Sequence, residues 1–166
     1  MKQETIKSYG LKSKSLAFFL AEFMAIETSQ VFIISPFISQ FPIPPIDLEF
    51  KLGQEQFTSF FGAISMLQKR GIKIEIFTTN GYVSRIIDAI GKESKNISIK
   101  IINKLHEKFF ITSNYFYKGS ANLTYSGLNA NLENCEIGLV GENKEYLKRI
   151  IHEVNSASRP YKFGKV

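Results

Sequence analysis

A chain of 166 residues, 44% of them hydrophobic and 22% charged, can build one core, so we expect a single domain over residues 1–166 and exclude a largely disordered protein. Lys and Arg number 21 against 15 Asp and Glu, and the net charge of +6 fits a polyanionic partner, such as nucleic acid or an anionic membrane surface, or simple solubility. One cysteine and two histidines exclude an internal disulfide and a zinc site of the usual Cys/His type, so we expect a cytoplasmic protein without metal or cofactor.

The first predicted elements are a helix, a strand and a second helix. Apolar residues recur at the i, i+3, i+4 and i+7 spacing of a helix in Leu16–Phe23 and again in Phe57–Ile64. Between them, Val31–Ile38 is apolar around a Ser-Pro pair, which predicts a strand buried on both faces. The apolar run Leu16–Ile26 is too short to span a bilayer and carries Glu22, so we expect a core helix and no stable membrane association.

Strands and a helix alternate in the middle of the chain. Ile72–Ile76 and Ile97–Ile101 alternate apolar and polar residues, as strands do, and Val83–Ile90 between them has helical spacing. Gly71 and Gly91 stand where helices are expected to end.

The last third of the chain predicts a hairpin, a strand and a helix. Phe109–Ile111 and Tyr115–Tyr117 flank a tight turn, Ile137–Val140 reads as a strand, and Leu147–Val154 has helical spacing. The basic tail, residues 156–166, is expected to be loose. The complete order of elements predicts an α/β fold in which helices flank both faces of a mixed β-sheet.

His106 and Lys108 are the first candidate site residues. Side chains at positions i and i+2 of a strand project from the same face, so both could reach one site. Imidazole is a competent nucleophile near neutral pH, and an adjacent ammonium group neutralises a phosphate oxygen. A lone His or a lone H-x-K pattern carries little information, so the pair is significant only in combination with motifs further along the chain.

A second group of candidates lies after the hairpin. Ser120 and Asn122 are again i and i+2, and in an extended segment they would add a hydroxyl and an amide to the same pocket. Gly119 lets the backbone come close to a ligand, and Glu136 could accept a proton from the far nitrogen of His106. A lone G-S-x-N is often only a turn, whereas the ordered combination predicts a phosphate site that contains a nucleophile.

These motifs resemble the phospholipase D superfamily, whose signature is H-x-K-x4-D followed by G-S-x-N. The chain has HEK, GSAN and NCE in that order, and VFIISPFIS and FFGAISMLQKRGIKIEIFTTN resemble the early strand and the helix-strand unit of one family repeat. The resemblance implies that His106 attacks phosphorus to form a covalent phosphohistidine. It also implies that Lys108, Ser120 and Asn122 bind the phosphate and that Glu136 supports the histidine.

The chain departs from the family signature at the motif Asp. Counting forward from Lys108 places Ser113 there, and counting back from Gly119 places Thr112. Some family members also lack this residue, so activity is expected, although a weakened or altered enzyme stays open as an alternative.

The family mechanism needs two motif histidines, and this chain has one motif. His152 has no H-x-K context and lies on the last predicted helix. Small family members of this kind combine one histidine from each of two copies, so the resemblance implies a homodimer, which is also the commonest symmetric oligomer.

Three functions are therefore open. The leading one is a metal-independent nuclease that cleaves DNA or RNA, because a basic surface attracts a phosphate backbone. The alternatives are a phospholipid hydrolase or phosphatidyl transferase, and a nucleic-acid-binding module without turnover. Phe41, Tyr82, Tyr115 or Tyr125 could stack on bases, although packing is the commoner role at any one such position.

Overall fold

A computed structural model describes residues 6–11, 28–42, 59–91, 95–128 and 133–161. The helix predicted in Leu16–Phe23 lies outside the described residues. Within them, eight strands form one sheet. The strands are β1 Ile6–Leu11, β2 Gln30–Ile34, β3 Lys73–Thr78, β4 Ile97–Ile101, β5 Phe109–Ile111, β6 Tyr115–Gly119, β7 Glu133–Leu139 and β8 Arg159–Pro160.

The sheet has the order β1-β7-β6-β5-β2-β3-β4-β8. Strands β2, β3 and β4 run parallel, and all other neighbours are antiparallel. The helices of the described part are α1 Phe60–Lys69, α2 Asn80–Ile90, α3 Tyr125–Leu128 and α4 Lys144–Ala157, with a 3₁₀ turn at Val140–Glu142. None of these helices is both long enough and apolar enough to cross a bilayer.

The sheet separates two hydrophobic cores, which confirms the predicted α/β class with helices on both faces. Val31 and Ile33 of β2 belong to the core that contains α1 and α2, whereas Ile34 belongs to the core that contains α4. Phe110 and Phe109 divide between the two cores in the same way. This alternation follows from the two-residue period of a strand.

A polar network lies within the α4 side of the sheet. Glu75 of β3 is buried and receives hydrogen bonds from Lys100 at 2.6 Å and from Gln30 at 3.0 Å. Lys100 also donates to Asn155 of α4 at 2.6 Å, and Lys73 pairs with Glu75 at 3.1 Å. Burial raises the pKa of Glu75, but the bonds and charges of the two lysines outweigh burial and hold that pKa below its ordinary value.

Short-range signals set the ends of the helices. The Ser59 hydroxyl accepts from the Gly62 N–H at 3.3 Å and caps the start of α1. After α1 and α2, Gly71 and Gly91 have φ values of 79° and 86°, a left-handed region that favours glycine. The predicted helix stops at both glycines are confirmed.

Two sequence predictions need correction. The strand predicted in Val31–Ile38 ends at Ile34, because Pro36 has no N–H with which to continue the ladder, and Ile38 makes only an isolated bridge. The tail is not loose over residues 156–161. Residues 156–157 complete α4, β8 pairs with β4, and the Tyr161 N–H donates to Ile99 at 2.9 Å.

Candidate active site

The predicted site lies at the edge of the sheet where the parallel strands end. Strand β5 is antiparallel to β2, with Ile34 opposite Phe109, so the residues just before β5 meet those just after β2. Strand β6 is antiparallel to β5, which brings its last residue, Gly119, to the same edge. We call this the site edge. Open α/β sheets commonly bind ligands there, beyond the carboxyl ends of the parallel strands.

His106 and Lys108 lie on the segment that leads from β4 into β5. Leu105 is buried in the α4-side core and anchors the segment, whereas His106 is exposed and Lys108 is half-buried. The expectation that the pair lies on a strand is wrong, because β5 begins only at Phe109. The two residues are instead joined directly, since the Lys108 ammonium donates to the His106 carbonyl oxygen at 2.7 Å.

The structure brings the second motif beside the first. The Gly119 N–H donates to the Lys108 carbonyl oxygen at 3.2 Å. Beyond it, Ser120 is exposed, Ala121 is buried and Asn122 is half-buried, and the backbone bends at Ser120 and Ala121 instead of staying extended as the sequence analysis expected. We call Ser120–Asn122 the anion strip.

Asn122 has unused hydrogen-bonding capacity at the anion strip. Its Oδ1 atom is buried and has no hydrogen-bond partner within the described part of the chain. An unsatisfied buried polar atom costs about 1–3 kcal/mol. The NH₂ group of the same amide has two N–H donors, which an anion can accept.

A serine from the end of β2 holds the anion strip in place. The Leu123 N–H donates to the Ser35 hydroxyl at 3.3 Å, and the same hydroxyl donates to the Phe37 carbonyl oxygen at 2.8 Å. Ile38 forms a parallel bridge to Leu123, whose carbonyl oxygen accepts from the Ser39 N–H at 2.9 Å. Ser35 was not among the predicted site residues, and its only sequence signal was the break in an apolar run.

A tight turn supports the anion strip from its other end. The Thr124 N–H donates to the Asn122 carbonyl oxygen at 2.8 Å, and the Gly127 N–H donates to the Thr124 hydroxyl at 2.9 Å. A Cβ atom at Gly127 would lie 2.4 Å from the Asn122 carbonyl oxygen. Only glycine therefore fits beside the strip without moving it.

Glu136 lies opposite Lys118 on the neighbouring strands β7 and β6. The Lys118 ammonium donates to the Tyr146 hydroxyl at 3.1 Å, and this bond, together with the nearby Glu107 and Glu136 charges, raises the pKa of Lys118. Among the described hydrogen bonds and ion pairs, none joins Glu136 to His106, so its supporting role stays a prediction.

The two positions that could replace the family's motif Asp lie at the opposite end of β5 from His106. The Ser113 hydroxyl accepts from the Ser29 N–H at 3.0 Å and lies 2.9 Å from the Thr28 hydroxyl. The Thr112 hydroxyl accepts from the Tyr115 N–H at 3.1 Å and closes the predicted hairpin turn. The missing carboxylate is thus replaced by hydroxyls in a turn and not by a change at the site edge.

The four aromatic residues predicted as possible base contacts differ in exposure. Phe41 is buried and stacks on Phe60 with ring centroids 4.7 Å apart, and Tyr115 packs against the core. Tyr82 is half-buried, and Tyr125 is exposed. Phe41 and Tyr115 therefore have the packing role that the sequence analysis gave as the commoner alternative.

A family model described as "Cardiolipin synthase, PLD-like domain" matches residues 49–157, about two-thirds of the chain. The match includes the H-x-K segment, the anion strip and β7. No curated protein sequence matches the chain significantly.

Three solved structures are similar to the chain over nearly its whole length. Nuc from Salmonella typhimurium, described as a phospholipase D family member, has 17% identity and a TM-score of 0.64, covering 96% of this chain and 99% of that one. TrmBL2, an archaeal chromatin protein described as showing a novel mode of DNA binding, has 14% identity and a TM-score of 0.61, covering 96% of this chain and 54% of that one. Phosphatidylserine synthase from Haemophilus influenzae has 12% identity and a TM-score of 0.70, covering 95% of this chain and 40% of that one. At these identities the similarity establishes the fold.

Proposed function

Because the chain belongs to the phospholipase D-like family, we propose that it is a phosphodiesterase that cleaves nucleic-acid backbones through a phosphohistidine at His106, without a metal. The observation that carries the proposal is the hydrogen bond from the Gly119 N–H to the Lys108 carbonyl oxygen, which joins the nucleophile segment to the anion strip. A nucleophile, an ammonium group and neutral donors then adjoin one another at the site edge. The net charge of +6 supports a nucleic-acid substrate.

The proposed reaction has two steps. A nitrogen of His106 attacks phosphorus, the bond from phosphorus to the leaving oxygen breaks, and an imidazolium group gives that oxygen its proton. Water then attacks phosphorus, loses its proton to the same imidazole, and the phosphorus–nitrogen bond breaks to restore His106. Lys108, Ser120 and Asn122 hold the phosphate oxygens in both steps, and a carboxylate of β7, Glu136 in the sequence prediction, orients the nucleophile.

The acid in this reaction would be His106 of a second copy. His106 is exposed, so it is accessible to another subunit, and the described residues include one other histidine, His152, which is exposed on α4. We therefore include a two-fold homodimer with a shared site in the proposal. One imidazole must be neutral while the other is protonated, which predicts a bell-shaped dependence of rate on pH.

Cleavage of labelled single- and double-stranded DNA and RNA in EDTA tests the activity. The parent protein should cleave at least one of these substrates, and His106→Ala should abolish cleavage while His152→Ala, the matched control, leaves it unchanged. Unchanged cleavage by His106→Ala would overturn the proposal.

Mixing subunits tests the shared site. When parent and His106→Ala subunits exchange freely, activity should fall with the square of the parent fraction, since only dimers with two intact histidines turn over. A linear fall would show that each subunit works alone. Mixing with His152→Ala should cause no loss.

Phospholipid chemistry is the second candidate, and the description of the matched family favours it. A hydrolase or phosphatidyl transferase would use the same residues on a lipid phosphodiester. Incubation with anionic phospholipid vesicles in EDTA, beside the oligonucleotides, separates the two substrates. The third candidate, a binding module without turnover, predicts oligonucleotide binding with no cleavage of either substrate.

A further inference from the structure

Two large apolar side chains in the described part of the chain are exposed, and both lie at the site edge. Phe37 is 42% exposed and Tyr125 is 58% exposed, whereas most other described phenylalanines are buried in the two cores. An aromatic ring that is open to solvent offers a face on which a nucleic-acid base can stack.

Both residues lie near Leu123, the residue that follows the anion strip. Phe37 directly precedes Ile38, and Ile38 forms a bridge to Leu123, the residue after the strip. Tyr125 follows Leu123 by two residues and opens α3. One aromatic residue therefore comes from the end of β2 and the other from the continuation of the strip itself.

The Phe37 side chain is supported by its neighbours. Its ring centroid lies 5.2 Å from that of Tyr82, and the Arg85 guanidinium lies 5.3 Å from the Tyr82 ring centroid. Hydrogen bonds to the backbone hold the segment, from Ser35 to the Phe37 carbonyl oxygen at 2.8 Å and from Thr79 to Pro36 at 2.7 Å. A ring held in this way loses little conformational freedom on binding.

We propose that Phe37 and Tyr125 stack on unpaired bases next to the phosphate at the anion strip, which makes single-stranded nucleic acid the preferred substrate. This inference rests on the proposed function and names its substrate class. Bases within a duplex are already stacked on their neighbours and offer no free face, whereas every unpaired base does. Arg85 beside Tyr82 supplies positive charge for the adjoining backbone.

Binding to two matched single strands tests the inference. Fluorescence anisotropy in EDTA compares a labelled mixed-sequence oligonucleotide with an abasic strand of the same length, which carries the same phosphates and no bases. The protein carries His106→Ala throughout, so that no strand is cleaved. Phe37→Leu and Tyr125→Leu remove the aromatic face and keep apolar volume, and Phe37→Tyr and Tyr125→Phe are the matched controls that keep the ring.

Each Leu variant should weaken binding to the base-bearing strand by about 5- to 100-fold, with no change for the abasic strand. The ring-keeping variants should bind both strands as their parent does. Equal losses for the two strands, no loss in the Leu variants, or no binding to the base-bearing strand would overturn the inference. Cleavage by proteins with intact His106 is scored separately, so base stacking without cleavage would reject only the proposed activity, and cleavage without base stacking only this inference.

Discussion

Gly127→Ala tests whether the position of the anion strip controls turnover. The new Cβ would lie 2.4 Å from the backbone carbonyl oxygen of Asn122 and 3.0 Å from its backbone nitrogen, whereas ordinary van der Waals contacts begin at 3.4 Å. The Asn122 backbone must therefore move by about 1 Å. A misplacement of about 1 Å at a substrate-positioning group costs on the order of 100-fold in rate, and we expect that loss with a decrease of about 1–3 kcal/mol in the free energy of unfolding from overpacking.

The measurement is turnover of a labelled oligonucleotide in EDTA, with urea unfolding in parallel. Gly81→Ala is the matched control, because no atom lies within 4 Å of its new Cβ and the residue is exposed on α2. The control should keep parental turnover. Parental turnover in Gly127→Ala would refute the reasoning, since the strip would then tolerate the shift or play no part in the reaction.

Three further predictions concern the hairpin turn, the Glu75 network and the supporting carboxylate. Ser113→Asp should leave turnover within about twofold, because Ser113 lies at the far end of β5, and a tenfold gain would contradict this. Glu75→Gln should lower the free energy of unfolding at pH 7 by about 2–3 kcal/mol. The folded-state pKa of Glu75 lies below its ordinary value of 4.5, so its stabilisation is present above 4.5 and is lost as the pH falls through the folded-state pKa. Urea unfolding from pH 7 to 3 should therefore show the free energies of unfolding of the parent and Glu75→Gln converging as the pH falls. Glu136→Gln should lower turnover by about 10- to 100-fold, because it removes the carboxylate proposed to orient His106, and parental turnover in this variant would contradict that role.

The sequence predicts those elements whose side chains show a strong local period. Strand β4 has the predicted bounds, Ile97–Ile101, because its isoleucines alternate with polar residues, and α2 and α4 extend beyond their predicted apolar stripes. The two-residue β8 has no period of its own. It exists because the edge of β4 offers hydrogen-bonding groups, which is a property of the folded sheet.

The candidate site likewise combines features that are visible in the local sequence with features that exist only in the folded sheet. The motifs around His106 and Asn122 are visible in the sequence because their residue types are those that phosphate chemistry needs. The Ser35 hydroxyl accepts a hydrogen bond from the Leu123 N–H, but the two residues are 88 positions apart, so no spacing rule connects them. Phe37 likewise reaches the site edge only because β2 and β5 are neighbours in the sheet.

The pairing of β1 with β7 has a consequence for how the protein assembles during synthesis. Ile6 lies opposite Ile137, so β1 must wait until β7 has been synthesised before it finds its partner. Until then β1 carries unpaired N–H and C=O groups, which can pair with another chain. Without β1, the outer edge of β7 would keep such unpaired groups permanently, so a protein that lacks residues 6–11 is expected to aggregate through β7 even though every proposed catalytic group is still present.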